Sequence, residues 1–184
     1  MQSPLPRVPE QPAPTPADSV PRRAEIEARL TTELASVVAG ARRRAHRDGD
    51  AQIDTAHLLH SLLETDPEVR AAFDSGAQVA RVLGYLVQRS IGYGLRWQGT
   101  VEDSGAVPLV RKQAVTGWSP PAVAAMGHAL NRAAVRGEPR AGGPDLLAAL
   151  AADRVCRAVE VLERAGVDTR SLAGRLSAAS RQAS

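Results

Sequence analysis

Two stretches of this chain carry the same punctuation in the same order, 88 positions apart. Thr31 and Ser119 are both helix-capping residues at the head of amphipathic runs. Leu30 pairs with Trp118, Val38 with Met126, Ala41 with Ala129 and Ala45 with Ala133. Gly49 then falls on Gly137, Leu58-Leu59 on Leu146-Leu147 and Leu62 on Leu150. Farther on the shift grows to 89 or 90, taking Phe73 to Leu162, Gly76 to Gly166, Val82 to Leu172 and Leu86 to Leu176. Any two amphipathic helices share some matches, but caps, terminating glycines, Leu-Leu pairs and core positions kept in one order over about 60 residues mark an internal repeat. Each copy leaves an apolar face in need of a partner, and two copies related by a pseudo-twofold axis can bury those faces together. The expected fold is all-α, with two four-helix repeats packed as one eight-helix domain.

The local signals divide each copy into helices. Leu30, Leu34, Val37, Val38, Ala41 and Ala45 fall at helical spacing and share one face. Thr31 or Thr32 is the cap of this helix, and Gly49 is its end. Thr55 is the expected cap of a second helix through Leu58, Leu59, Leu62 and Leu63, and Asp66-Pro67 separates a short third one through Val69 and Phe73. After Gly76 a fourth carries Val79, Val82, Leu83 and Leu86. In the second copy Ser119 caps a helix with Pro120 at its first position, where proline's fixed φ and missing donor fit. Gly143-Pro144 opens the next, a third holds Val155, Val159 and Leu162, and the last begins around Asp168.

The expected domain plan follows. Residues 1–23, dense in proline, form a disordered tail, and residues 24–182 form one domain. Within it, repeat 1 covers about 28–90 and repeat 2 about 118–180, joined by a glycine-rich linker at 91–117. Only 3% of the residues are aromatic, so the core must be built from Ala, Val and Leu, which suits helices.

Several functional classes are disfavoured. Arginine dominates the positive charge (Lys112 is the sole lysine), yet the net charge is only +3 because acidic residues nearly balance it. Arg42, Arg43, Arg44 and Arg47 cluster at the end of the first helix, where cations suit the helix dipole. Nucleic-acid binding would need aromatics or a reading helix beside them, so it ranks last. His57 and His60 lie three apart but lack further ligands at metal spacing. Cys156 has no companion for a disulfide and no base to activate it, which suits a buried role in a reducing compartment. Ser61 and Ser119 sit in no nucleophile motif. No catalytic residue, cofactor or metal is expected. Tyr85, Tyr93 and Trp97 gather near the linker, where they can cover the seam between repeats. Without an apolar leader or a spanning run, a soluble cytoplasmic protein is expected.

The chain resembles the Clp N-terminal domain of the Hsp100 unfoldases over roughly residues 28–180. Thr55-Ala56-His57-Leu58-Leu59 and Gly143-Pro144-Asp145-Leu146-Leu147 stand where that family has Thr-Glu-His-Leu-Leu. Gly166-Val167-Asp168 matches its later Gly-Val-Asp motif, and Gly76-Ala77-Gln78 matches it in part. The phosphate-binding loop of the family's ATPase domains, G-x-x-x-x-G-K-[ST], occurs nowhere, so the resemblance implies a free-standing relative without a motor. It implies a non-enzymatic accessory of Clp proteolysis that binds protein or peptide clients, adaptors or Clp components through the first helices of its repeats. Val38, Arg42, Trp118 and Leu130 are the partner-binding residues so implied. A decoy sequestering a Clp-targeting cyclic peptide is the alternative. In some relatives the glutamate of the motif binds phosphoarginine. Ala56 and Pro144 replace it here, which argues against that ligand.

Overall fold

The computed structural model describes residues 23–91, 102 and 117–182. The proline-rich tail, most of the linker, Tyr93 and Trp97 lie outside the described residues. Among those described, the elements are helices: α1 (Arg23–Glu27), α2 (Thr32–Asp48), α3 (Thr55–Thr65), α4 (Pro67–Ala71), α5 (Gly76–Ser90), α6 (Pro120–Val135), α7 (Gly143–Ala152), α8 (Arg157–Arg164) and α9 (Thr169–Gln182). Helices α2–α5 form the first repeat and α6–α9 the second, with α1 a short addition that buries Ile26.

Local chemistry sets the helix ends. The Thr31 hydroxyl accepts from Leu34 N–H at 3.2 Å and the Ser119 hydroxyl from Ala122 N–H at 3.3 Å. Gly49 and Gly137, 88 positions apart, both adopt left-handed backbone, at φ 75° and 76°. Beyond each glycine the chain closes back identically: Asp50 N–H donates to Ala45 O and Glu138 N–H to Ala133 O, both at 2.9 Å. One expected cap moves by a residue. Asp54, not Thr55, caps α3, because its carboxylate accepts from His57 N–H at 2.9 Å while Asp54 N–H donates to His57 Nδ1 at 3.1 Å.

Two short parallel bridges join the repeats, Leu30 with Ala141 and Ile53 with Trp118. Each is the other's mate under the 88-residue shift. Thr31 N–H donates to Ala141 O and Ala141 N–H to Arg29 O, both at 2.9 Å; Ser119 N–H donates to Ile53 O and Ile53 N–H to Gly117 O, both at 2.8 Å. This exchange of equivalent hydrogen bonds is what a pseudo-twofold axis requires.

The middle helices α3 and α7 are the centre of the molecule. Both are buried along almost their whole length; α7 is Leu and Ala beyond its first turn, whereas α3 also takes Thr55, His57, His60 and Ser61 into the interior. They touch each other, and each also touches the short third helix of the opposite repeat, α3 against α8 and α7 against α4. As the composition requires, the core is Leu, Val and Ala, with Trp118 and Phe73 the buried aromatics among the described residues.

The pairing of Gly76 with Gly166 does not hold. Gly166 closes α8 in left-handed backbone (φ 77°), whereas Gly76 is the first residue of α5. The cause is a length difference. Helix starts are offset by 88 for α3 and α7, by 90 for α4 and α8, and by 93 for α5 and α9, because α8 has 8 residues and α4 has 5. Ser75 is therefore the counterpart of Asp168, and both accept N–H bonds from the first turn of their helices.

Candidate functional site

The four residues singled out for partner binding part company in the structure. Val38, Trp118 and Leu130 are 2%, 1% and 5% exposed, each held in the core by the helix packing just described. Their side chains do not reach a partner in this conformation. Trp118 is buried because it stands in the bridge to Ile53, the position that Leu30 holds in the first repeat. Arg42 is exposed, pairs with Glu27 at 2.9 Å, and borders a shallow cleft of about 210 Å³ with His46, Gln52 and Gly117. Of the neighbouring arginines, Arg43 and Arg47 face outward, while Arg44 turns inward to Glu64 and His60.

The two histidines face different partners. His57 Nε2 lies 3.2 Å from Asp50 and 3.7 Å from Asp48. Ligand-type atoms of Asp50, Asp54 and His57 come within 4.8 Å of one another. A guanidinium already lies among them, since Arg89 Nη2 bonds both carboxylates, and Arg157 Nη1 donates to Asp54 at 2.7 Å. His60 faces the other way: its Nδ1 lies 3.3 Å from Arg44 Nη1 and its Nε2 3.3 Å from Glu64. Burial, and then the Arg44 charge, push the His60 imidazole down from 6.5 to about 4, against the opposing pull of Glu64 and Asp48.

A test of stability follows from that depressed value. The unfolded chain takes up a proton at His60 near pH 6.5, but the folded chain does so only near pH 4. Stability from this group is thus complete above pH 6.5 and is lost as pH falls towards 4, by up to about 3 kcal/mol. Urea unfolding of His60→Gln against the parent across pH 4–7 is expected to show a shallower pH slope in the variant; equal slopes would exclude this role for His60. Cys156 is inert by contrast: burial pushes its thiol up to about 11, and Sγ lies 3.6 Å from Leu150 O.

The larger cleft lies between the repeats and has a volume of about 440 Å³. Ala71, Ala72, Pro144, Leu176 and Ala179 supply an apolar lining, with Thr31 at the start of α2 beside it. Three carboxylates (Glu68, Glu138 and Asp145) stand against one guanidinium, Arg136. Arg136 is itself committed: it binds Asp145 through both terminal nitrogens at 2.6 and 2.8 Å and Glu138 at 2.9 Å. The hydrogen bond to Asp145, then that to Glu138, raise its already high pKa further. Asp145 is at the position equivalent to His57, and it accepts from Gly142 N–H at 3.1 Å as a one-sided cap. Glu68 on α4 is exposed, so the cleft combines a small-residue apolar surface with a net acidic rim.

Nothing in the sequence marked this cleft, because its wall comes from α4 and α9, far apart in the chain. Pro144 was legible as a departure from a family motif, and it does line the space.

The fold is that of the Clp and Hsp104 N-terminal domains. A chain from structural work on a malarial protein secretion system is 14% identical with a TM-score of 0.60, covering 84% of this chain and 96% of that one. The N-terminal domain of Hsp104 from Candida albicans is 12% identical with a TM-score of 0.58, covering 80% of this chain and 88% of its own. The N-terminal domain of the caseinolytic-protease-associated chaperone ClpD from Arabidopsis thaliana is 16% identical with a TM-score of 0.55, covering 84% and 96%. No family model and no curated protein matches the sequence. No described helix is long and apolar enough to cross a membrane.

Proposed function

We propose that this chain is a non-enzymatic peptide-binding module acting beside Clp-type unfoldases, and that it takes a basic segment of a client or adaptor in the cleft between its repeats. The carrying observation is the cleft's chemistry. An apolar lining of Ala71, Ala72, Leu176 and Ala179 suits the methylene stem of an arginine or lysine, and Glu68 with Glu138 suits its head. The likeness in fold to Clp and Hsp104 N-terminal domains supports the Clp setting.

Fluorescence anisotropy tests it with two labelled Ala-rich peptides that differ only in one central residue, Arg or Glu. The Arg peptide is expected to bind the better, and Glu68→Lys to weaken it about tenfold, equivalent to 1.4 kcal/mol, with the circular dichroism unchanged. Equal binding of both peptides, or indifference to Glu68→Lys, would reject the reading. The cleft volume also lies within the range of small-ligand sites. This favours, as a second reading, sequestration of a cyclic peptide; titration with an uncharged cyclic peptide that binds tightly while the Arg peptide does not would select it.

A further inference from the structure

Glu102 belongs to the region joining the repeats, yet it is only 4% exposed. Four donors converge on its carboxylate. Thr55 N–H reaches Oε2 at 2.9 Å, the Ser119 hydroxyl reaches Oε2 at 2.7 Å, Arg157 N–H reaches Oε1 at 2.8 Å, and the Thr55 hydroxyl donates to Oε1. Two of these are main-chain groups at the first residues of α3 and α8, which have no acceptor within their own helices. Cys156, at the cap of α8, offers that helix no side-chain acceptor. Other segments make up the deficit: Glu102 takes Arg157 N–H, and Thr55 Oγ1 accepts from Ala158 N–H at 3.1 Å.

The pseudo-twofold axis supplies a control inside the molecule. The counterparts of Ser119, Thr55 and Arg157 are Thr31, Gly143 and Pro67, each read from the matching helix starts. Gly143 has no hydroxyl and Pro67 has no N–H, so two of the four donors do not exist on that side. There α4 is capped by its own Asp66, which accepts from Glu68 N–H at 2.9 Å and Val69 N–H at 3.2 Å. That side keeps the open, acid-rimmed cleft. On the Glu102 side a residual space of about 20 Å³ remains, beside Ser119, Asp54 and Arg157.

We infer that the space between the starts of α3, α6 and α8 is an oxyanion-binding site for a single carboxylate, occupied by the chain's own Glu102, which thereby pins the two repeats together. It joins Thr55 of repeat 1 to Ser119 and Arg157 of repeat 2 through one side chain. The inference does not depend on what the open cleft binds.

Chemical rescue in the full chain tests it. Thermal unfolding of Glu102→Ala, followed by circular dichroism, is compared in sodium acetate and in sodium chloride at equal ionic strength. The variant is expected to melt well below the parent in chloride and to regain about half or more of the lost Tm, saturably, in acetate, as a ligand bound only by the folded state requires. The parent should respond alike to both salts, and Glu102→Ala with Ser119→Ala should lose the acetate response. If Glu102→Ala does not fold in chloride, an acetate-dependent gain of helical signal is the expected result. Glu102→Gln, which turns an amide donor towards donors, should melt below the parent. The inference is overturned if acetate and chloride act identically on Glu102→Ala, if Glu102→Gln is as stable as the parent, or if phosphate rescues and acetate does not.

Discussion

Replacing Asp54 with alanine is expected to destabilise the fold by about 3–5 kcal/mol, the cost of breaking a buried ion pair from one side. Asp54 is 2% exposed and caps α3, but its weight comes from the charges it holds. Arg157, 7% exposed, donates to its Oδ2 at 2.7 Å, and Arg89 donates to the same atom. Burial by itself would raise the Asp54 carboxyl; its hydrogen bonds with His57 and the charge of Arg89 overcome it and hold the group well below the usual carboxylate range. Alanine leaves Arg157 buried beside an empty place and strips α3 of its cap. Removing the cap alone costs about 1 kcal/mol, so a second variant separates the terms. Arg157→Met with Asp54→Asn, which empties both ends of the pair, should recover part of the loss. Urea unfolding gives the numbers, and a loss below about 1 kcal/mol for Asp54→Ala would mean that the pair contributes nothing beyond the cap.

Gly143→Ala is expected to cost about 2–4 kcal/mol, although alanine is the better helix former. A Cβ at this position would stand 1.9 Å from Asp66 Oδ2 and 3.0 Å from Val69 Cγ2. Asp66 cannot simply turn aside, because it holds the first N–H groups of α4. The added methyl therefore either parts α7 from α4 or dismantles the cap. The backbone of Gly143 is outside the left-handed region, so the whole penalty is steric. Gly84→Ala in α5 is the matched control: nothing lies within 4 Å of its Cβ position, and the same change there should stabilise by about 0.5–1 kcal/mol. Opposite signs at the two glycines, measured as denaturant midpoints, are the expected outcome. Equal signs would show that α7 and α4 can move apart freely.

What could be read from the chain was what short-range rules govern. Thr31, Ser119 and Asp168 each serve the helix that immediately follows, and Gly49 and Gly137 close the helices that precede them. The apolar spacing that put Leu58, Leu59 and Leu62 on one helix also placed them in the core. Even the errors were local: Asp54 displaced Thr55 as cap by one position, because its carboxylate reaches forward to accept from His57 N–H while the Thr55 hydroxyl is drawn to Glu102. The residues expected to bind a partner fared differently. Val38 lies on the apolar stripe that the spacing predicts to be inside, and whether a stripe residue is covered or left open depends on what packs over it.

The sequence by itself determined the helices of the two repeats, most of their ends, and the existence of two copies, because capping, left-handed glycine and helical period all act within a few residues. Only the tertiary structure decided how the copies differ. Asp54 meets Arg157 across 103 positions, and Thr55 meets Glu102 across 47. Asp48 and His57 in one repeat stand where Arg136 and Asp145 stand in the other, with the acidic and basic partners exchanged. Such pairings follow from distance and dielectric in the folded molecule, where a charge is held by whatever the docking of α3, α4, α7 and α8 brings beside it. Spacing along the chain does not contain that information, and so the filled site at Glu102 and the open cleft opposite became distinguishable only once the repeats were packed together.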